Sequence, residues 1–340
     1  MGSEMCIRDS DQLVGPGYEG SAVAIQPSTG KILAMASNPG YNPNDLMGDS
    51  AEETWANLQE QEGQPLVNHA GAETLPPGSI FKIITTAAGL NNGFDPSSTL
   101  TGSNVITLPD TVTELTNYAN QKCNGQDAVT LQTAFALSCN TAFVEMSEQL
   151  GADELRKYAK AFGVGENYDL GVSTSAGTLG DLPDGAATAQ SAIGQRDVTM
   201  TALQAAVMAG TVANKGTRMQ PYLVNRITDA QMKDVRTTKP KKADQAVNEE
   251  TAATLTDLMY ASERSSWGYD GNGFASKTGT AEHGEGLAPH VWYVAFDPER
   301  DIAVGVVVKN GGNLGESATG GKVSGPIGRA IPVSYTHLTL

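Results

Sequence analysis

A mixed α/β fold, with an antiparallel sheet covered by helices, is what three features of this 340-residue chain predict. Residues 21–37, "SAVAIQPSTGKILAMAS", alternate in polarity around a central turn. Three strand candidates stand near the other end, "GFASKTGTAE" (273–282), "HVWYVAFDPE" (290–299) and "DIAVGVVVKN" (301–310). Between them the periodicity is mostly helical, so strands from both ends of the chain must meet in one sheet.

Each element has a local reason. Residues 21–37 make a hairpin because Pro27-Ser28-Thr29-Gly30 is a turn sequence. Residues 38–77 are rich in Asn, Pro, Gly and acids, with one short helical stretch at "AEETWANLQEQ". A helix is expected from Ser79 to about Leu90, ending at "NNG", with Lys82 one turn after Ser79 on the same face. "LQTAFALSCNTAFVEMSEQL" (131–150) is helical on both sides of a break at Ser138-Cys139-Asn140. Asp153 suits the N-cap of the next helix, "ELRKYAKAF". Residues 165–190 read as a loop, and "TALQAAVMAGTVAN" as a helix. "KPKK" (239–242) forms a basic loop, and Glu249–Ser262 another helix. There is no internal repeat and no glycine-rich phosphate fingerprint.

The two ends stand apart. Met5-Cys6-Ile7-Arg8-Asp9-Ser10 is encoded by ATG TGT ATA AGA GAC AG, and the reverse complement of that strand encodes Val333-Ser334-Tyr335-Thr336-His337. The reciprocity resembles a sequencing-library transposon end translated at both edges, and such segments are left out of fold reasoning. The expected division is adaptor scars at 1–10 and 333–340, a remnant of a preceding domain or linker at 11–19, and one large domain at 20–332. The final helix is then expected to be cut short.

At 39% hydrophobic and 18% charged, the chain can bury a sizeable core. A net charge of −16 argues against nucleic acid and anionic membrane surfaces as main partners. No apolar run reaches the length of a membrane span. Setting Cys6 aside, Cys123 and Cys139 are either one disulfide or two unpaired thiols, too few for a structural zinc site. No metal or other cofactor is expected.

Ser79-Ile80-Phe81-Lys82 on its own is an ordinary helix start, and Ser28-Thr29-Gly30-Lys31 shows that the spacing recurs by chance. The case for chemistry comes from adding Ser138-Cys139-Asn140 and Lys277-Thr278-Gly279. The order of these motifs and their contexts (helix start, inter-helix break, strand) agree with a single site. An alcohol is a weak nucleophile and needs a neighbouring base. A lysine serves at neutral pH only if burial or a second cation lowers its pKa, and Lys277 is a candidate for such a cation near Lys82. Ser138 suits proton relay to a leaving amine, Asn140 the holding of a peptide group, and Thr278 the binding of a C-terminal carboxylate. The backbone N–H groups of Ser79 and Thr280 suit an anionic intermediate. His69, His283 and His290 are far apart in sequence, with no evident acid partner, and are read as structural or surface residues rather than members of a Ser-His-Asp triad.

The three motifs are shared by penicillin-binding proteins and class A β-lactamases. With "STGKILAMASNPGYNPN", "PPGSIFK", "LSCNTAF", "SAIGQRDVTMTALQ", "MQPYLV", "SKTGTAEHG", "PHVWYVAF" and "SATGG…GPIGRAI", the chain resembles a class B penicillin-binding protein, most closely the PbpA-type transpeptidases of actinobacteria, over residues 20–332. The resemblance implies the penicillin-binding-protein transpeptidase, or serine β-lactamase-like, fold with an all-helical subdomain. It also implies a membrane anchor and a preceding domain outside this sequence, at the extracytoplasmic face of the membrane. The implied reaction is attack of Ser79 on the D-Ala-D-Ala bond of a peptidoglycan stem peptide, followed by transfer to an amine on a neighbouring strand, with β-lactams acylating the same serine. Family roles fall on Ser79, Lys82, Ser138, Asn140, Lys277, Thr278, Gly279 and Thr280. Partners implied are cell-wall synthesis or divisome membrane proteins. The family often reads "NRA" and "YPPGSTFK" where this chain has Asn68-His69-Ala70, Leu75 and Ile80, which bears on substrate fit and removes no reacting group.

Three rival functions share the motifs. A β-lactamase needs a deacylating base, and residues 171–180 hold no acid while Glu166-Asn167 departs from the class A pattern. A covalent β-lactam sensor and a D,D-carboxypeptidase both remain compatible with the residues, and the length of the resemblance favours the transpeptidase. For the thiols, a Cys123–Cys139 bridge beside the second motif is the working hypothesis.

Overall fold

The computed structural model describes residues 17–284 and 286–338, so the reading of residues 1–10 lies outside the described residues. Its strands are β1 (Gly20–Ile25), β2 (Ile32–Asn38), β3 (Thr99–Thr101), β4 (Val105–Thr107), β5 (Glu114–Thr116), β6 (Ala128–Thr130), β7 (Thr217–Met219), β8 (Arg226–Thr228), β9 (Asp234–Thr237), β10 (Lys242–Gln245), β11 (Ala275–Ala281), β12 (His290–Asp297) and β13 (Ile302–Val308). Its helices are α1 (Ala51–Glu60), α2 (His69–Ala72), α3 (Lys82–Leu90), α4 (Leu131–Ala136), α5 (Asn140–Ala161), α6 (Gly185–Ala192), α7 (Ala202–Ala213), α8 (Glu249–Ser265) and α9 (Ser324–Leu338). The main sheet is antiparallel in the order β11-β12-β13-β1-β2. The expected union of strands from both ends is therefore present, with Gly20 paired to Val308.

Every residue of β1, β12 and β13 is buried, as continuous apolar strands covered on both faces require. Period-two alternation divides them. Val23, Ile25, Ala303 and Val307 face the main core with α7, whereas Ala22, Ala24, Val304 and Val306 face the layer that holds Ile331 of α9. Helices α3, α4, α5 and α8 complete the main core beyond the edge strand β11, which is the predicted helical region.

Several local expectations change. Ser79 does not cap a helix: it lies in a 3-10 turn, Gly78–Phe81, and α3 begins at Lys82. Residues 165–190 are not all loop, because Asp184 caps α6 by accepting from the Ala187 amide. Asp153 pairs with Arg156 at 2.8 Å, while the break inside α5 is at Gly151 (φ 72°), a backbone that glycine adopts readily. Four two-stranded ribbons, β3-β6, β4-β5, β7-β10 and β8-β9, are additions. Helix α9 runs to Leu338, through the stretch read as a scar.

A buried carboxylate ties the sheet to α8 and α9. Glu263, on the last turn of α8, is 1% exposed and accepts from Tyr293 Oη (2.9 Å), Arg329 Nε (2.6 Å), Asn272 Nδ2 (3.1 Å) and the Ser276 hydroxyl. Burial, with the Glu263 carboxylate second, pushes the Tyr293 phenol well above 10, so it stays a donor. Breaking a buried ion pair strands the remaining charge. Glu263→Gln should therefore lower unfolding stability by about 3–5 kcal/mol, and Glu263→Gln with Arg329→Met should recover part of that, both read by urea denaturation.

His69 is a second buried charge. Its Nδ1 meets Glu73 Oε2 at 3.0 Å, and its Nε2 meets the carbonyls of Gly63 (3.0 Å) and Gln64 (3.1 Å). All three neighbours are acceptors, so both ring nitrogens carry protons and the ring is an imidazolium. The Glu73 hydrogen bond raises its pKa above 6.5 against the opposing effect of burial. Burial alone would raise Glu73, but His69 and Lys309 (2.7 Å) hold it low. A raised basic pKa gives stability that is complete below the unfolded value and is lost as pH rises through the folded one. The stability gap between the wild type and His69→Gln should thus be widest below about pH 6.5 and should shrink towards pH 9, measured by urea midpoints.

Candidate active site

The loop before Ser79 is held by the connection between α6 and α7 and by the sheet. Leu75 and Met200 exchange backbone hydrogen bonds (3.0 and 2.9 Å), the Gly78 amide donates to Gly194 O (2.9 Å), and the buried Trp292 indole donates to Pro76 O (2.8 Å). Gly78 has φ +53°, and a Cβ there would lie 2.7 Å from Thr280 O. A Cβ on Gly279 would lie 2.7 Å from Pro77 O. Glycine at these two positions lets the serine turn lie directly against β11. Thr280 O faces Gly78, so strand geometry aims the Thr280 N–H to the same free edge of β11.

Lys82 follows one turn later, 0% exposed, with its ammonium donating to Ser138 O (2.7 Å), Asn140 Oδ1 (2.7 Å) and Ser138 Oγ (3.3 Å). Lys277 of β11 is also 0% exposed and donates to the same Ser138 Oγ at 2.9 Å. Ser138 has φ 61°, a left-handed backbone that costs a non-glycine residue energy, and it holds this conformation in the break between α4 and α5. The next residue, Cys139, is bridged to Cys123 with Cα atoms 5.7 Å apart. The hypothesised disulfide is therefore present and anchors the second motif. Asn140 Nδ2 donates to Thr116 O at 3.1 Å, so its amide is oriented by β5 as well as by Lys82.

Burial first, then the nearby Lys277 charge, holds Lys82 well below 10.5. Burial brings Lys277 down to about 7. Phe143 lies 5.2 Å from the Lys82 nitrogen and Phe135 lies 5.8 Å from that of Lys277, so aromatic faces replace part of the lost water.

Thr278 and Thr280 point into a cleft of about 190 Å³ that also meets Ser138, Ser266, Trp267 and Thr319. Among the described residues no carboxylate lines it. Glu166, the nearest counterpart to a class A base in sequence, is instead paired with Arg218 at 2.6 Å. Ser28, the rival Ser-x-x-Lys serine, donates its hydroxyl to Asp301 and its amide hydrogen-bonds the same carboxylate at 3.0 Å, away from Lys82. Sequence reasoning gave Thr319, Ser266 and Trp267 no role, since single hydroxyls and one aromatic carry no spacing signal. The histidine reading needs correction on one point. His69 does have an acid partner, Glu73, and His283 stacks on His290 at 3.9 Å, yet none of them reaches Ser79 in a triad. Burial first, then His283, lowers His290 to about 4, so it is neutral. Among the described residues no group of side chains is arranged to hold a metal ion.

Comparison with known proteins follows the same lines. The profile of the penicillin binding protein transpeptidase domain matches residues 20–332. The chain is 45% identical over 325 residues to peptidoglycan D,D-transpeptidase PbpA of Mycolicibacterium smegmatis, covering 92% of this chain and 66% of that protein. It is 42% identical, with the same coverage, to peptidoglycan D,D-transpeptidase PbpA of Mycobacterium tuberculosis. The structure of penicillin-binding protein A from M. tuberculosis as a ceftriaxone acyl-enzyme superposes with a TM-score of 0.91 at 40% identity, covering 97% of this chain and 77% of that one. This chain thus spans just under two thirds of the length of these curated relatives, and it belongs to the penicillin-binding protein transpeptidase domain family.

Proposed function

We propose that the chain is the catalytic unit of a peptidoglycan D,D-transpeptidase that acts through a Ser79 acyl-enzyme and is acylated by β-lactams. The observation that carries this is the Ser138 hydroxyl held between two buried, pKa-lowered lysines, Lys277 of β11 and Lys82, which follows Ser79 by one turn. The named function of the relatives at 45% and 42% identity agrees, as does the ceftriaxone acyl-enzyme formed by the M. tuberculosis protein.

An ammonium at Lys82 uses all three protons on its three acceptors. Deprotonation keeps the two short bonds, to Ser138 O and Asn140 Oδ1, and turns the lone pair toward the weakest contact, where hydroxyl protons arrive. Ser79 Oγ then bonds to the carbonyl carbon of the penultimate D-Ala while its proton passes to neutral Lys82. The oxyanion rests on the N–H groups of Ser79 and Thr280. As the C–N bond breaks, the departing amine takes a proton by way of Ser138 Oγ, and the terminal D-Ala leaves. Lys277 and Thr278 meet the substrate carboxylate, Asn140 the peptide, and Gly279 permits the close packing. An acceptor amine repeats the sequence in reverse. That no carboxylate is among the described residues of the cleft supports slow hydrolysis of the acyl-enzyme rather than β-lactamase turnover.

The same reading puts residues 20–332 in an extracytoplasmic domain tethered to the membrane beside cell-wall synthesis or division proteins. A disulfide is suited to that oxidising compartment. Among the described residues no helix is long and apolar enough to cross a membrane.

Intact mass after exposure to penicillin tests the nucleophile. One added drug mass is expected in the wild type and in Ser28→Ala, and none in Ser79→Ala; folded wild-type protein without an adduct would sink the assignment. The second-order acylation rate should rise with pH wherever Lys82 is still protonated, and should fall above about 7 as Lys277 loses its proton. Lys277→Ala removes the second cause of the Lys82 depression, so its rising limb should move to higher pH.

A further inference from the structure

Two exposed elements are ordered while burying almost nothing. Helix α1 has ten residues and no buried side chain. The β8-β9 ribbon has residues only exposed or partly exposed, and it packs chiefly on itself. A ten-residue helix and an isolated two-stranded ribbon are each marginal in water unless an apolar face is covered.

Their charges are opposite. In the ribbon and the following loop, residues 223–242, Arg226, Lys233, Arg236, Lys239, Lys241 and Lys242 are all exposed, against the acids Asp229 and Asp234. The one ion pair here among the described residues is Arg226 with Asp234, at 3.5 Å. This is a cationic projection on a chain of net charge −16. Around α1, residues 42–62 contain Asp45, Asp49, Glu52, Glu53, Glu60 and Glu62, all exposed, and no Lys or Arg. None of those six has an ion-pair partner among the described residues.

Both segments also expose large apolar side chains among the charges. Met232 is 71% and Val235 67% exposed on the ribbon, and Met47 is 74% and Trp55 45% exposed beside and on α1. Apolar groups ringed by charge mark protein contact surfaces. An acidic surface bearing Met47 and Trp55 is the complement of a basic surface bearing Met232, Val235 and the exposed Ile227, and both occur on one polypeptide.

From this complementarity we infer that the β8-β9 ribbon of one copy docks on the α1 arm of a second copy. The contact is heterologous: it joins two different patches, and each copy offers one of each. Charge pairing sets its register and makes it sensitive to salt.

Sedimentation velocity on the whole chain, across protein and salt concentration, tests the inference. The wild type should associate at low salt and separate towards about 1 M salt. Lys233→Glu with Arg236→Glu, and separately Glu52→Lys with Glu53→Lys, should each weaken self-association by at least about tenfold. Mixing the two variants should restore association, because each then meets a complementary patch. Unchanged circular dichroism and penicillin acylation would show that both variants are folded. A wild type that stays monomeric to about 1 mM at low salt would overturn the inference. So would association that is insensitive to charge reversal, failure of the mixture to recover, or a monomer whose ribbon binds anionic vesicles instead.

Discussion

Two lysine amino groups withdrawn from water and turned onto one hydroxyl are the constraint around which this molecule is arranged. Burying a single cation is costly, and burying two beside each other is worse. The protein bears that cost with fixed dipoles: a backbone carbonyl, an asparagine oxygen and the Ser138 hydroxyl on Lys82, and the same hydroxyl with Thr278 O (3.0 Å) on Lys277. Such an arrangement tolerates little displacement. The left-handed Ser138, the Cys123–Cys139 bridge and the Thr116 contact to Asn140 all fix the same short segment.

The sheet supplies the opposite wall. Lys277 rides on an edge strand, so β11 presents one row of backbone groups to β12 and the other to the serine turn. Behind it, Glu263 gathers the Ser276 and Tyr293 hydroxyls and the Arg329 guanidinium, locking the residue before Lys277 to α8 and α9. The lysines thus sit between two bodies, a helical one carrying Lys82 and Ser138 and a sheet carrying Lys277. The geometry of each is set by buried polar contacts as well as by apolar packing.

The residues that meet at the candidate site, Lys82, Ser138, Asn140 and Lys277, were legible in the chain because three short motifs, each weak alone, had to occur in order and in compatible local structure. The main sheet was legible because alternation and apolar runs are local signals. What escaped was set over distance. Glu263 lay one residue past the expected end of its helix and looked like a solvated acid. Nothing local pairs His69 with the carbonyls of Gly63 and Gln64, or brings His283 onto His290. The Gly-rich 165–190 region concealed α6, whose small residues, Ala187, Ala189 and Ala192 among them, are chosen for close packing rather than for an amphipathic stripe. Asp153 met the local rule for a cap, but the glycine two residues earlier decided where the helix breaks.

The sheet order carries a consequence in time. Strand β1 is covered on one side by its hairpin partner β2, but its other edge waits for β13, whose residues 302–308 are synthesised some 280 positions later. A pairing that distant is slow to form, and it leaves an apolar strand edge open until it does. Strand β11, which brings Lys277, joins the sheet only through β12 and β13. Lys82 and Lys277 are therefore fixed against each other only once β12 and β13 have joined β1. The candidate site is thus assembled late, after strands far apart in the chain have found one another.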